Sequence, residues 1–419
     1  MDPEFTASDL FFLLLCAVQF EKVIGQRETR EQLVQMVQHN RLSHALLFLG
    51  KEGSGSLAVA LAFAQYIVCE KVNGKQTNTA SLFEMPDAET TSTLVPDSCG
   101  VCSACLKAAQ MVHPDIHFSY PVIPKKSGDK PVSTDYAAEW REFISIQPYA
   151  NAFDWLQFIG AENKQGNITA EECNDITRKI SLKSFESGYK VLIIWMPEYL
   201  TKNGNKLLKL LEEPPPQTVF ILVAENEELV LPTILSRTQL VRIPALANAE
   251  VEAALGLRSG VPIEKAQQIA ALSEGNYREA LQLLQHVEDD WLLIVREWLN
   301  LIVKRNYPAQ LKWIEDMSKQ GREKQKQFLK YFTHLLEQAI RIAAMPESAS
   351  KAFSIVAAEK DFAERLNKLS NIHQQEAIIH ELDKASYFIE RNANGKMLFH
   401  ALSIKLYHII TNNSLILVQ

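Results

Sequence analysis

The sequence predicts an α/β fold built on a parallel sheet, followed by an all-helical remainder. Three observations predict it. First, the apolar run Ala45-Leu46-Leu47-Phe48-Leu49 enters the turn Gly50-Lys51-Glu52-Gly53-Ser54-Gly55, and the helix-forming run Ala58-Val59-Ala60-Leu61-Ala62-Phe63-Ala64 leaves it. This is the strand–turn–helix order and the G-x-x-x-x-G spacing of a phosphate-binding loop. Second, three more short apolar runs read as strands, Lys190-Val191-Leu192-Ile193-Ile194, Val219-Phe220-Ile221-Leu222-Val223-Ala224 and Leu240-Val241-Arg242-Ile243, and His113-Pro114-Asp115-Ile116-His117-Phe118 leads into a further one. Helical stretches separate them, which implies parallel, doubly wound strands. Third, no strand pattern is found from Ala245 onward.

The chain has 419 residues, 47% of them hydrophobic and 22% charged, with a formal net charge of −7. The composition is that of a soluble globular protein of two or three domains. An acidic balance argues against a free-standing nucleic-acid binder held by bulk electrostatics. No apolar stretch reaches the ~18 residues of a membrane span. Residues 1–19 read as a non-native or uncertain head. Met1-Asp2-Pro3-Glu4-Phe5-Thr6 has the look of a cloning remnant, and no Lys or Arg precedes the apolar run at 10–17, against a signal peptide.

The loop lacks the residues that give such a turn its chemistry. In a working loop a Lys reaches the β- and γ-phosphates and a Ser/Thr hydroxyl holds Mg²⁺; here those positions are Ser56 and Leu57. Lys51 comes before the turn and does not substitute. The third strand ends in Trp195 where an Mg²⁺-binding Asp belongs. A tight strand-to-helix turn with no ligand is the competing reading.

Cys99, Cys102 and Cys105 follow the polar excursion at 73–98. Their C-x₂-C-x₂-C spacing clusters three thiolates, and Cys69 can supply a fourth for tetrahedral Zn²⁺. Four thiolates leave no open position, so such a site is structural. Three ordinary thiols, or an iron–sulfur ligand set, remain alternatives. His113 and His117 are possible further ligands, but His113-Pro114-Asp115 reads better as an ordered turn. Residues 121–167 carry Trp140, Phe143, Phe153, Trp155 and Phe158 and read as an inserted helical hairpin, with base stacking on those rings as the alternative.

A helix is expected over 168–184, with Thr169 and Glu172 three residues apart as a capping box. Another is expected over 205–213, stopped by Pro214-Pro215-Pro216. Short helices over 249–281 break at Ser259-Gly260 and Gly275-Asn276. Five longer ones follow, over 291–302, 325–345, 355–369, 373–392 and 396–410. Lys319, Arg322, Lys324, Lys326 and Lys330 form a basic run, a solvated helix face or a DNA contact.

With Leu207-Leu208-Lys209-Leu210-Leu211-Glu212-Glu213-Pro214-Pro215, Thr233-Ile234-Leu235-Ser236-Arg237, the Cys cluster, His113-Pro114-Asp115 and the opening at 20–26, the chain resembles the bacterial clamp-loader subunits of the AAA+ class. The resemblance covers residue 20 to the C-terminus. It implies an α/β P-loop AAA+ core with a parallel sheet and an inserted zinc module, then a small helical lid and an all-α C-terminal bundle. The expected boundaries are 20–244 for the core, with the zinc module at 69–105 and the insertion at 121–167. The lid then spans 245–288 and the oligomerising collar 289–419. Within the family, Gly50, Gly53, Gly55, Ser56, Leu57, Trp195 and Arg278 form a degenerate nucleotide site. Arg278 matches the lid's sensor arginine. Arg237 matches the arginine finger that reaches a neighbouring subunit's ATP; the family's following Cys is Thr238 here.

The resemblance implies the branch that does not use ATP itself. It carries structural Zn²⁺ on Cys69, Cys99, Cys102 and Cys105, and no ATP of its own. Its implied partners are the gamma/tau and delta subunits in a hetero-oligomeric cytoplasmic ring. The sliding clamp and primer–template DNA are reached through the assembly, and no membrane is involved. An active ATPase of the gamma/tau type and a zinc-dependent DNA-binding module are the alternatives.

Overall fold

A computed structural model of the chain describes residues 19–74, 96–126, 128–161, 164, 166–285, 291–344, 357–390 and 393–412. Residues 1–18 of the expected head at 1–19, and most of the excursion at 73–98, lie outside them. The chain forms two compact units, Met1–Leu281 and Gln282–Gln419.

The first unit holds five strands: β1 (Ala45–Gly50), β2 (Ile116–Ser119), β3 (Lys190–Trp195), β4 (Thr218–Ala224) and β5 (Gln239–Ile243). They form one sheet in the order β2-β3-β4-β1-β5, and every pairing is parallel. The register sets Leu47 between Leu222 on β4 and Leu240 on β5. The three inner strands are buried almost throughout, which is why each is a near-continuous apolar run. The edge strands β2 and β5 keep partly or fully exposed residues.

Helices cover both faces. Those preceding β3 are α1 (Arg27–Gln38), α2 (Ser56–Val68), α3 (Ser103–Ala109), α4 (Ala137–Ile146), α5 (Ala152–Phe158) and α6 (Ala170–Ser181). All thirteen residues of α2 are buried, matching a helix that is apolar all round. On one face Ile176 and Ile180 of α6 join Ile194, Phe220, Leu222 and Leu211 in a single core cluster.

Two local expectations fail. Thr169 does cap α6, accepting the Glu172 N–H at 3.0 Å, but the box does not close. The Glu172 carboxylate is fully buried and accepts the Ser133 N–H at 2.6 Å instead, so a tertiary contact outcompetes the local one. The helix expected over 205–213 shrinks to α7 (Leu208–Glu212), preceded by a long 3₁₀ path over Pro197–Leu207. The Asn203-Gly204-Asn205 run inside that path disfavours an α-helix, and Gly204 lies close under Leu231.

After α8 (Pro232–Leu235) and β5 come α9 (Asn248–Ser259), α10 (Ile263–Ser273) and α11 (Tyr277–Gln285). The breaks fall at Gly260 and Gly275, both at positive φ.

In the second unit six helices stand among the described residues: α12 (Trp291–Val303), α13 (Tyr307–Lys319), α14 (Arg322–Ala344), α15 (Ala357–Leu369), α16 (Ile372–Glu390) and α17 (Gly395–Asn412). Five were expected, and α13 is the addition. Pro308 reads as a breaker in sequence but occupies the first turn, where its missing N–H costs nothing. The expected boundaries at 345, 355 and 392 lie outside the described residues. Trp298 and Trp313 stack at 4.9 Å at the centre, and the Trp298 indole donates to Ser403 Oγ at 3.0 Å. Of the basic run, Lys319 lies within reach of Glu315 and Asp316.

Candidate functional site

The loop between β1 and α2 is built as its glycines require. Gly53 and Gly55 take φ of +70° and +87°, a region L-residues rarely enter. Both are also packed tightly. A side chain at Gly53 would meet the Asn276 backbone at 2.9 Å, and one at Gly55 would meet the Tyr149 ring at 2.7 Å. The Gly275-Asn276-Tyr277 segment touches the loop directly, with the Tyr277 N–H donating to Gly53 O at 3.2 Å. Gln26 ties the loop to the end of β5 by donating to Ser54 O at 3.1 Å and Pro244 O at 2.7 Å.

What the loop encloses is small. The cavity lined by Lys51, Ser56, Tyr149, Trp195 and Glu225 offers about 20 Å³ to water centres, room for one or two waters. Leu57 is buried at the position of the metal-binding hydroxyl. Trp195 is 2% exposed and packs against Trp140 at 5.2 Å and Phe143 at 6.3 Å. Those rings come from the 121–167 segment, which closes on itself through the Val122–Asn167 bridge and the Trp155 indole donating to Pro121 O at 2.7 Å. Besides packing as a helical pair, the segment delivers Tyr149 into the site. The Tyr149 hydroxyl accepts the Ile24 N–H at 2.9 Å, and burial raises its pKa to about 12.

The charge pattern at this site is inverted. Glu52 stands inside the loop and Glu225 just beyond β4. Burial, with repulsion from Glu52 and Glu198, pushes the Glu225 carboxyl up to about 8. Arg278, at the start of α11, donates through Nη1 to Glu52 at 2.8 Å and through Nη2 to Asp154 at 2.6 Å, with Nε also on Asp154. Asn151 and Asn276 donate to Glu52 at 3.0 and 3.2 Å. Burial opposes ionisation of Glu52, but Arg278 and the two amides outweigh it, so its pKa falls. Burial likewise opposes the charge on Arg278, and the two carboxylates outweigh it. Arg278 is only 10% exposed. Two carboxylates of this chain thus occupy the guanidinium that the sequence assigns to a nucleotide.

Arg237 follows α8, away from this cluster in sequence and in its contacts. It is half-buried rather than fully exposed as expected. Its Nε and Nη2 both reach Glu212 Oε1, at 2.6 and 2.5 Å, and Nη1 donates to Thr233 O at 2.8 Å.

The four cysteines do come together. The sulfurs of Cys69, Cys99, Cys102 and Cys105 all lie within 4.8 Å of one another, and Cys99 and Cys105 are 3.8 Å apart. That equals the edge of a tetrahedron with Zn–S bonds of about 2.3 Å. Cys69 ends α2 and the other three sit at and in α3, whose N-cap is Cys102. The hydrogen bond with Cys105 draws the Cys69 thiol down, and the same bond pushes Cys105 up. The donor set is all sulfur. Neither His113 nor His117 joins the cluster. His113 Nδ1 accepts the Asp115 N–H at 3.1 Å, and the Asp115 carboxylate accepts N–H groups of Phe185, Glu186 and Ser187 at 2.5–2.8 Å, the ordered turn that was expected.

Sequence reasoning missed Glu52, Tyr149, Asp154, Glu212 and Glu225. An acid inside a phosphate loop was the available signal for Glu52, and Asn151 with Asp154 three residues on was a capping box in plain view.

The fold and site define a class: a parallel α/β protein whose glycine turn between the first strand and the following helix is closed over by its own side chains. A family profile described as "DNA polymerase III, delta subunit" matches residues 25–247, just over half of the chain, and the chain belongs to that family. Among curated proteins it is similar to DNA polymerase III subunit delta' of Bacillus subtilis, 25% identical over 63% of this chain and 60% of that protein. It is also similar to subunit delta' of Escherichia coli K12, 25% identical over 68% and 71%. Subunit gamma/tau of Mycobacterium tuberculosis H37Rv is 26% identical over 52% of this chain but only 27% of its own length.

Proposed function

We propose that this chain is a delta'-type subunit of a bacterial clamp loader. It holds its place in the ring without turning over ATP, and lends Arg237 to the ATP of an adjacent subunit. The observation that supports this most is the loop itself. Ser56 and Leu57 replace the lysine and hydroxyl, Trp195 replaces the metal-binding acid, and Glu52 and Asp154 take the lid arginine. With its charge taken up by Glu52 and Asp154, Arg278 has none left to offer a triphosphate. Arg237 has no phosphate at home to serve, and an arginine supplied in trans is worth on the order of 10³–10⁵ in rate in related hydrolases. The partners in this reading are gamma/tau and delta subunits, with the sliding clamp and primer–template DNA met through the assembly. Zinc on the four thiolates supplies structure only: it crosslinks the end of α2 to α3.

The test has two arms. Calorimetric titration of the purified chain with Mg²⁺-ATP is expected to give no micromolar binding. ATPase of the reconstituted loader, stimulated by clamp and DNA, is expected to drop at least tenfold with Arg237→Ala, with Lys rescuing poorly because it lacks the planar fork. Micromolar ATP affinity in the first arm, or equal rates from fully assembled complexes in the second, refutes the reading.

A further inference from the structure

Glu212 is the last residue of α7, and its backbone is fixed. Leu211 beside it is buried in the core cluster, the Glu213 N–H closes the turn on Lys209 O at 2.9 Å, and three prolines follow. Arg237 is anchored on the same core. Its N–H donates to Ile234 O at 3.0 Å, and Ile234 lies in that cluster. Two short helices thus hold a carboxylate against a guanidinium. Glu212 Oε1 takes both Nε and Nη2, at 2.6 and 2.5 Å, while Nη1 donates to Thr233 O and Ser236 Oγ at 2.8 and 3.1 Å. Every nitrogen of the guanidinium is engaged within the chain, and its charge is matched. We propose that Glu212 parks Arg237: it keeps the guanidinium on its own subunit until a phosphate is presented, and so restrains hydrolysis before the assembly engages, a role that rests on Arg237 acting in trans.

The contact is specific and reversible. Glu213 offers the same charge one residue on and makes no ion pair among the described residues, so proximity of an acid alone does not account for the pairing. Glu212 and Arg237 both keep surface in solvent, 49% and 32%. An exposed pair of this kind shifts an equilibrium by up to about fivefold, enough to bias the arginine and too little to trap it. A guanidinium neutralised by a carboxylate has less charge to offer a phosphoryl group in transfer, so the form bound to Glu212 is the inactive one. A phosphate carries more charge and more acceptor oxygens than a carboxylate. It wins the contest once the neighbouring subunit excludes water, because electrostatic attraction strengthens as the local dielectric falls.

The test rebuilds the loader around the full-length, zinc-loaded chain and its variants and measures ATPase with and without clamp and DNA. Glu212→Ala is expected to raise the unstimulated rate about two- to fivefold and to shrink the ratio of stimulated to unstimulated rate. Glu213→Ala removes the same charge next door and should leave that ratio as in the wild type. Combining Glu212→Ala with Arg237→Ala should abolish the gain, since the effect passes through the guanidinium. A readout outside the ring is the Arg237 Nε–H signal in NMR of the isolated chain. It should lose its protection from solvent exchange in Glu212→Ala and keep it in Glu213→Ala. Melting curves and assembly check every variant. If Arg237→Ala slows the loader while Glu212→Ala leaves the ratio unchanged, or lowers both rates, the parking role is overturned and the arginine in trans stands. If Arg237→Ala has no effect, both fall. A gain from Glu213→Ala equal to that from Glu212→Ala also overturns the proposal.

Discussion

Removing the Arg278 side chain is expected to do more to this protein's stability than to any catalytic step. Arg278→Met keeps the length and apolar stem and deletes the guanidinium. It strands Asp154, 14% exposed, and Glu52, 34% exposed, without their counter-charge. Breaking a buried pair costs about 3–5 kcal/mol, because the remaining charge is left desolvated. Solvent reaches Glu52 and screens its share, so a loss of about 2–4 kcal/mol follows for the cluster. In a unit of this size that lowers Tm by roughly 3–7 °C. The assay is scanning calorimetry of the full chain, following the transition of the Met1–Leu281 unit. Adding Glu52→Gln and Asp154→Asn to Arg278→Met removes the stranded charges, and more than half of the loss should return. A loss under ~0.5 kcal/mol, the scale of an ordinary surface change, would refute the reasoning, and so would a triple variant no better than the single one.

Two further outcomes follow from the same geometry. One zinc ion per chain is expected by metal analysis, and Cys69→Ser or Cys102→Ser should abolish it and loosen the α2–α3 junction while the sheet stays folded; full zinc content in both variants would refute the ligand set. Glu225 carries a pKa of about 8 against an ordinary 4.5, so between those values the native state holds a proton that the unfolded chain has released. Stability must therefore fall as pH rises through that window and level off above it. Glu225→Gln should flatten that slope; parallel pH profiles of Tm for the two proteins would count against it.

Most of the fold was legible in the sequence because its signals are local. Burial on both faces forces the central strands to be continuous apolar runs, so β1, β3 and β4 can be read directly from Ala45, Lys190 and Thr218 onward. The thiol cluster was legible for a related reason: C-x₂-C-x₂-C constrains three sulfurs by chain geometry alone, and only Cys69 needed the fold. The rest was non-local. Nothing near Asp154 in sequence marks it as the partner of Arg278, 124 residues away. The rings of Trp140 and Phe143 looked like part of an appended hairpin, because only the tertiary structure packs them against Trp195. Glu172 misled for the opposite reason: its spacing from Thr169 satisfies a local rule, and a better acceptor role at Ser133 was out of view.

The two arginines that the sequence singled out are held in ways that fit opposite tasks. Arg278 is buried between two carboxylates, each itself supported by amide or backbone donors. Releasing it would strand those charges, so no ligand of modest affinity can take it over. Arg237 is held by a single carboxylate oxygen, one backbone carbonyl and the Ser236 hydroxyl. Glu212 is 49% exposed, and the Arg237 side chain keeps 32% of its surface in solvent. Such an exposed pair is worth about 0–1 kcal/mol. The Glu212 carboxylate therefore holds the guanidinium ready at little cost. A phosphate presented in a water-poor interface, where charge-assisted bonds are roughly twice as strong as neutral ones, can draw Arg237 away. The chain gives up the arginine nearest its own loop to buried ion pairs and holds the outlying one by exposed contacts only, which is the distribution the role proposed for Arg237 requires.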